Sequence, residues 1–374
     1  AGKRSILLVP EQFTSSTEAR IYRELGDALS GMVESYSFTS LAEHILAIEG
    51  GAAVQTLTDA GRAVLVRRAL EELQDNVHYY YRHRRSAAFC QMAAETIDEL
   101  KSAGLSGQQL QELARDCGTE SAKLGELALI FQGYESLLAG TGMDPADRLE
   151  LAADRLEAAL ARDELPDFLR EREVFIDEFD TFNAPKKRLM GAMLAALPAV
   201  TVALCEDGAP MQPGDLELFS GAKQVAAQLR QLARKNGAQV AAPELLRRDL
   251  RHKDAPGLAA LTELLETGSC TPPESAPELR LFAAASREEE ARCAAAAIRR
   301  LMRQGVRCGK IAVVCRDISL YRAAVRYEFR MAEIPLYCDE PTTPEFSAPA
   351  TAVRALLALL RGADMTEQLT VLAK

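Results

Sequence analysis

The residues best suited to chemistry are two adjacent acids, Asp177 and Glu178, in the stretch VFIDEFDTF (174–182). The apolar run Val174-Phe175-Ile176 before them predicts a short buried strand, which would deliver both carboxylates at its carboxyl end. Ligands of open α/β sheets bind at that end of the strands. An Asp in this position helps to hold Mg²⁺ in many ATPases. A following Glu can polarise the attacking water, although the same pattern also suits an ordinary strand that ends in a polar turn.

A phosphate-binding loop would separate these two interpretations. The pattern G-x-x-x-x-G-K-[ST] surrounds the phosphates with backbone N–H groups and places its lysine on the β and γ oxygens. The chain does not contain this pattern, because SAGLSGQQ, LAGTGMD and FSGAKQV all lack the Gly-Lys-Ser/Thr ending. We therefore expect that this chain by itself does not hydrolyse ATP.

A second group of candidate residues combines tyrosines with arginines in the stretch HYYYRHRRS (78–86). Tyrosine rings can stack on nucleobases, and arginine can pair with phosphate or stack. The candidate DNA contacts are Tyr79, Tyr80, Arg82, Arg84 and Arg85. The alternative interpretation is a turn between two helices, with packed tyrosine rings and solvated arginines.

Composition limits how such contacts could work. The net charge of the 374 residues is −10, whereas a protein that grips DNA by bulk electrostatics is basic. Any contact with nucleic acid is therefore expected to be local or shared with a partner.

The eight cysteines are scattered without a C-x-x-C pair, which argues against a zinc or disulfide framework and favours the reduced thiols of a cytoplasmic protein. The sequence has no apolar run of the roughly 20 residues that span a membrane.

The order of the predicted elements places Asp177 in an α/β domain that is split along the chain. Strands and helices alternate at the start, give way to successive amphipathic helices, and return around Asp177. The predicted parts are a first α/β domain in 1–54 and 171–214, a helical insertion in 55–170, a helical connector in 215–277 and an incomplete second α/β domain in 278–374.

The predicted strands of the second domain are 278–286, 310–317 and 334–340, and they follow the proline-containing loop 271–278. Both ends of the sequence lie close to or inside predicted elements, so we expect a piece of a longer protein.

This order resembles that of superfamily 1 helicases related to UvrD and RecB. ILLVPEQFTSSTEAR (6–20) is similar to the strand and loop that follow the phosphate loop in that superfamily, and VFIDEFDTF is similar to its Walker B segment. SFTSLAEHIL (37–46) resembles an element beside the single-strand path, and the stretch 279–317 resembles the opening of the second motor domain. The sequences ILLVPEQFT and VFIDEFDTF resemble those of the B-subunit family of the AddAB/RexAB ATP-dependent helicase–nucleases.

The resemblance implies an α/β fold with a P-loop NTPase-like parallel sheet, a large all-helical insertion and the start of a second α/β domain. It implies that Asp177 and Glu178 are a Walker B-like pair, active or vestigial. Phe38 and Thr39 would contact DNA, with Thr39 where the family has His, although Phe38 equally suits a core position. Arg316 would face the interdomain cleft, or else form a structural ion pair.

The resemblance also implies partners and cofactors. The partners would be single-stranded and double-stranded DNA and the A subunit of a heterodimer that repairs double-strand breaks, with no membrane. We expect no cofactor in this chain. ATP and Mg²⁺ could bind the full-length subunit, and an iron–sulfur cluster belongs to a C-terminal nuclease domain whose cysteine spacing is not found here.

Three functions are compatible with these features. We expect a DNA-engaging, non-motor module of an ATP-dependent exonuclease subunit. The first alternative is an active helicase whose phosphate loop precedes residue 1, although the family's downstream arginine motif is not recognisable in this sequence. The second alternative is a scaffold that binds only the partner subunit.

Overall fold

Four short parallel strands form the sheet of the computed structural model, which describes residues 4–209, 218–246, 250–338 and 347–373. The strands are β1 (Ser5–Leu8), β2 (Val33–Tyr36), β3 (Glu173–Ile176) and β4 (Ala199–Val202), in the order β2-β1-β3-β4. Leu8 lies opposite both Tyr36 and Ile176, so the two ends of the predicted split domain meet in one sheet. The predicted α/β class with a parallel sheet is confirmed, and a P-loop NTPase-like fold stays a prediction.

Contacts divide the chain into two compact units, residues 1–248 and 249–374. The first unit contains the sheet and nine of the described helices. These are α1 (Thr14–Ser30), α2 (Phe38–Glu49), α3 (Asp59–Glu72), α4 (Ala87–Ser102), α5 (Gly107–Arg115), α6 (Ser121–Leu138), α7 (Pro145–Ala161), α8 (Ala184–Ala196) and α9 (Ser220–Lys235). No helix in the described ranges has both the length and the apolar character that a membrane crossing requires.

The core of the sheet lies on one of its faces. Alternate residues of β1 and β3 are buried there against α2, α7 and α8, because successive side chains of a strand point to opposite faces. Phe175, on the opposite face, is 39% exposed. A continuous apolar run predicted a strand buried on both faces, and this part of the prediction is wrong because little packs on the second face. The shared core includes Ile6, Leu8, Leu41, Ile45, Leu156, Val174, Ile176 and Leu189.

The helical block 55–170 contains a second core, made by α3, α4, α5 and α6. Helix α7 packs instead on α2 and α8 in the core of the sheet. The two cores are joined by a buried ion pair, because Lys101 of α4 binds Asp144, which precedes α7, at 2.9 Å. The block is therefore not an independent appendage, since its last helix completes the α/β core.

The second unit is helical in its described residues. Its helices are α10 (Pro256–Thr267), α11 (Arg287–Arg303), α12 (Ile318–Met331), α13 (Ala348–Leu360) and α14 (Met365–Leu372). Helices α11 and α12 pack together around Ile298, Val325 and Phe329.

The strands predicted in the second unit are absent from its described residues. The stretches 278–286, 310–317 and 334–338 form no sheet there, and residues 339–340 lie outside the described residues. Leu281 and Val314 are 99% and 91% exposed, although both were predicted to lie in buried strands. The prediction is wrong for this part of the chain because a parallel strand needs neighbouring strands and covering helices, which an apolar run cannot supply for itself.

Candidate functional site

Asp177 lies where the order of the sheet reverses. The chain goes from β1 to β2 on one side and later enters β3 on the other side of β1, so a crevice is expected at the carboxyl ends of β1 and β3. The backbone N–H of Asp177 donates to the Leu8 carbonyl at 3.0 Å, which places the Asp directly at this switch point. The Asp177 side chain is half-buried and that of Glu178 is exposed.

Glu178 follows in a left-handed backbone conformation, with φ of 65°. This conformation costs a residue with a Cβ about 1–2 kcal/mol. It is supported here by a hydrogen bond from the Glu178 N–H to Asp177 Oδ1 at 2.9 Å. In the described part of the chain, no three His, Cys, Asp or Glu side chains are grouped to hold a metal ion. A Mg²⁺ ion at Asp177 would therefore take most of its oxygen ligands from water or from a bound phosphate rather than from the described side chains.

Three phenylalanines pack together at this same edge of the sheet. The ring of Phe38 is 5.2 Å from that of Phe179 and 6.1 Å from that of Phe182, both in edge-on geometry. Phe38 is only 2% exposed, so its ring belongs to the core and presents no face on which a base could stack. Thr39, by contrast, is exposed in the first turn of α2.

The segment 78–86 is a loop with a short 3-10 helix at Tyr81–His83, between α3 and α4. The carboxylate of Glu126 on α6 accepts hydrogen bonds from the backbone N–H groups of His78, Tyr79 and Tyr80 at 2.8–3.1 Å. Three consecutive N–H groups on one carboxylate hold the loop against the helical core.

The tyrosines of this segment differ in their exposure. Tyr79 is 46% exposed, with the ammonium of Lys123 5.5 Å from its ring centroid. Tyr80 is half-buried and stacks on Phe89 at 5.5 Å, and burial together with the charge of Tyr79 raises the pKa of its hydroxyl. Tyr79 is therefore the tyrosine of this segment that presents its ring to solvent.

The three arginines of the segment have no carboxylate partner within the described residues. Arg84 lies over the ring of Tyr81 at 3.8 Å, and Arg82 Nε donates to His83 Nε2 at 3.0 Å. Arg85 lines a pocket of about 370 Å³ between α3 and the start of α4, together with Arg67. The segment thus combines unneutralised guanidinium groups with one exposed tyrosine ring.

The predicted site residues do not form one cluster. Asp177, Glu178 and Thr39 belong to the edge of the sheet, and the 78–86 segment belongs to the helical core. Arg316 is exposed in the second unit, directly before the residue that caps α12, and forms no ion pair among the described residues. The structural ion pair considered for Arg316 is therefore not found, and its position in an interdomain cleft stays a prediction.

Sequence reasoning missed two residues of these surfaces, Glu126 and Lys186. Lys186 places its ammonium 5.8 Å from the ring centroid of Phe38 and 5.3 Å from that of Phe179. Neither residue has a local signal, since Glu126 is one of many helical glutamates and Lys186 is one of two adjacent lysines.

A parallel sheet with an acidic pair at its switch point, and a helical block between its second and third strands, defines an α/β protein of the type that binds ligands at the carboxyl ends of its strands. A family model described as ADDB, N-terminal, matches residues 1–262. The chain belongs to this family.

Proteins named as the B subunit of an ATP-dependent helicase/deoxyribonuclease are similar over most of the chain. That of Desulforudis audaxviator is 34% identical over 352 residues, covering 90% of this chain and 29% of the relative. Those of Moorella thermoacetica and Symbiobacterium thermophilum are both 32% identical, covering 91% and 96% of this chain and 30% and 31% of the relatives. The chain therefore spans about 30% of the length of the relatives it matches.

Proposed function

We propose that this chain is a DNA-contacting module of the B subunit of an ATP-dependent helicase–nuclease that repairs double-strand breaks. The family and the names of its relatives support this function. The module would work in a heterodimer with an A subunit.

The observation that carries the proposal is the set of three arginines without carboxylate partners beside the exposed ring of Tyr79. Arginines that are not neutralised can pair with phosphates, and an exposed ring can stack on a base regardless of its identity. Glu126 holds the backbone of residues 78–80 in place, so binding orders the side chains of the loop but costs little backbone entropy there. A local basic and aromatic surface also reconciles DNA contact with the net charge of −10.

The module is proposed to be non-motor. Its sequence contains no G-x-x-x-x-G-K-[ST] pattern, although Asp177 stands at the switch point where a nucleotide would bind. Tight binding of ATP and Mg²⁺ would require the complete protein, with Asp177 on the metal side of the phosphates, and this chain alone would hold a nucleotide only weakly and without hydrolysis. An iron–sulfur cluster would belong to a nuclease domain outside this chain, since the spacing of the cysteines in this sequence does not match that of a cluster.

Fluorescence anisotropy with a labelled single strand tests the DNA contact. The double variant Arg82→Ala/Arg85→Ala should weaken binding about tenfold at low salt and lower the salt slope by about 1.4, since each single-strand phosphate contact contributes roughly 0.7. Arg68→Ala is the matched control, because Arg68 is an exposed arginine already paired with Glu72. Binding that neither variant changes would remove the DNA contact from 78–86, and no binding by the wild-type chain would favour the scaffold.

ATP turnover tests the second part of the proposal. The chain mixed with ATP, Mg²⁺ and single-stranded DNA should release no phosphate above background. DNA-stimulated turnover that Asp177→Asn abolishes would contradict the proposal and favour an active helicase.

A further inference from the structure

Lys186 occupies a position that helix stability does not explain. It lies in the first turn of α8, where its backbone N–H donates to the side chain of the capping residue Asn183 at 3.1 Å. The amino end of a helix carries a partial positive charge, so a lysine there is electrostatically unfavourable. The first turns of helices favour acids for this reason.

The surroundings of Lys186 fix its ammonium without neutralising it. The rings of Phe38 and Phe179, both buried, attract it through cation–π interactions. Burial lowers the pKa of Lys186, and the charge of Glu11 opposes this only in part. Within the described residues, no carboxylate forms an ion pair with this half-buried ammonium.

The next two residues of α8 show how different this environment is. Lys187 donates to the side chain of Gln228 at 2.6 Å. Arg188 forms ion pairs with acids of α7, at 2.8 Å from Asp154 and also with Glu150 and Glu157. Of three consecutive cations, Lys186 is the one that is held among aromatic rings.

The place of Lys186 in the fold suggests what its partner is. Phe38, the first residue of α2, follows the carboxyl end of β2, and Phe179 follows that of β3, so both lie at the edge of the sheet where Asp177 lies. Parallel α/β sheets bind ligands at this edge. A desolvated and pre-positioned cation interacts more strongly with an anion than a solvated lysine does.

We propose that Lys186 binds a phosphate group at the carboxyl edge of the sheet. The phosphate belongs to a DNA strand or to a nucleotide, which present the same chemistry to an ammonium. Binding of a DNA phosphate rests on the proposed function, whereas binding of a nucleotide phosphate does not depend on it. Lys186 would act on its ligand as a point charge, with the aromatic rings keeping the ammonium in place.

Substitution of two neighbouring lysines separates a binding role from a structural one. Lys186→Met should weaken the binding of a labelled single strand or of a fluorescent ATP analogue three- to tenfold. If DNA is the ligand, the salt slope should also fall by about 0.7. Lys187→Met, the matched control, should bind within twofold of the wild type, and Lys186→Arg should retain most of the affinity. The thermal transition of Lys186→Met should stay close to that of the wild type.

Footprinting of the wild-type chain keeps the test valid if Lys186→Met folds poorly. Acetic anhydride labelling read by mass spectrometry should show that the ligand protects Lys186 and leaves Lys187 reactive. No protection by either ligand, or equal protection of both lysines, would overturn the inference.

The outcomes also separate this inference from the proposed function. If DNA binding depends on Arg82 and Arg85 but Lys186→Met binds both probes normally, only the role of Lys186 is refuted and the proposed function stands. If the wild-type chain binds the nucleotide but not DNA, and Lys186→Met loses nucleotide binding, the proposed function is refuted and the phosphate site is retained. Failure of the wild-type chain to bind either probe refutes both.

Discussion

Both oxygens of the Glu126 carboxylate accept hydrogen bonds from the backbone N–H of Tyr79, at 2.9 and 2.8 Å, although the residues are 47 positions apart. The neighbouring N–H groups of His78 and Tyr80 share the same carboxylate. Consecutive backbone N–H groups that converge in this way form a nest that binds anions. Here the anion is a side chain of the chain itself, so these three N–H groups are already satisfied and the arginine side chains of the loop are left for a ligand.

Removal of this carboxylate should loosen the loop. Glu126→Ala leaves three N–H groups without their acceptor, and we expect the free energy of unfolding to fall by about 1–2 kcal/mol, since the exposed groups can regain water. Hydrogen exchange at residues 78–80 should accelerate. Glu126→Gln keeps one acceptor oxygen and should lie between the variant and the wild type. Exchange rates at 78–80 that match the wild type in Glu126→Ala would show that packing alone holds the loop.

The ion pair of Lys101 and Asp144 should be the most sensitive polar contact of the first unit. The Lys101 and Asp144 side chains are 9% and 2% exposed, and Tyr134 donates its hydroxyl to Asp144 at 2.7 Å. Lys101→Met leaves a buried carboxylate without its counter-ion, so we expect a loss of about 3–5 kcal/mol in urea unfolding. The exposed pair Arg67–Glu71 provides the control, and Arg67→Ala should cost about 0.5 kcal/mol or less. Equal effects of the two variants would contradict the importance of burial.

The same network should make the fold sensitive to alkali. Burial lowers the pKa of Lys101, but Asp147 and Asp144 outweigh it and raise the pKa above the ordinary 10.5. Burial and Asp144 also raise the pKa of Tyr134. Because both pKa values are higher in the folded state, the stability is fully present below pH 10 and is lost as the pH rises through the folded values. The free energy of unfolding, measured from pH 9 to 11.5, should fall less steeply in Lys101→Met than in the wild type.

The contact of Glu34 with Arg172 predicts the opposite dependence in acid. Burial raises the pKa of Glu34, but hydrogen bonds from Arg172 and Tyr36 outweigh it and lower the pKa below the ordinary 4.5. The stabilisation is therefore present above pH 4.5 and is lost as the pH falls through the lower folded value. Glu34→Gln should cost about 1–2 kcal/mol at pH 7, less than a fully buried pair because Glu34 is about one-third exposed. Its acid transition should also be shallower, and an unchanged transition would remove Glu34 as the source.

Glu178 offers a prediction of increased stability. A glycine adopts the left-handed conformation without the Cβ clash but costs conformational entropy, so Glu178→Gly should raise the free energy of unfolding by up to about 1 kcal/mol. Glu178→Ala keeps the clash and should be neutral or slightly destabilising. Chemical denaturation of both variants measures the difference. A destabilised Glu178→Gly would mean that the carboxylate makes a contact that outweighs the strain.

Local pattern was sufficient for the elements that this chain builds from neighbouring residues. The stretches 5–10 and 173–179 predicted strands, which the structure places at Ser5–Leu8 and Glu173–Ile176, and apolar spacing by three and four predicted the helices between them. The place of Asp177 at a strand end followed from the same pattern. The sequence alone was sufficient to show that the chain lacks the G-x-x-x-x-G-K-[ST] pattern.

Partners distant in the sequence were decided by the tertiary structure. Phe38 is a core residue because its ring packs against Phe179 and Phe182, which follow the helical block in the sequence. Lys186 and Lys187 are adjacent and chemically identical, and only the packing of α8 gives one of them aromatic neighbours.

The apolar runs of the second unit show the same limit, since Leu281 and Val314 have the residue types of a strand but no sheet to join in the described residues. The physical reason is the separation along the chain between the residues that determine each property. Secondary structure depends on the period of a few adjacent side chains, whereas burial, ion pairing and strand pairing depend on residues that folding brings close from elsewhere in the chain.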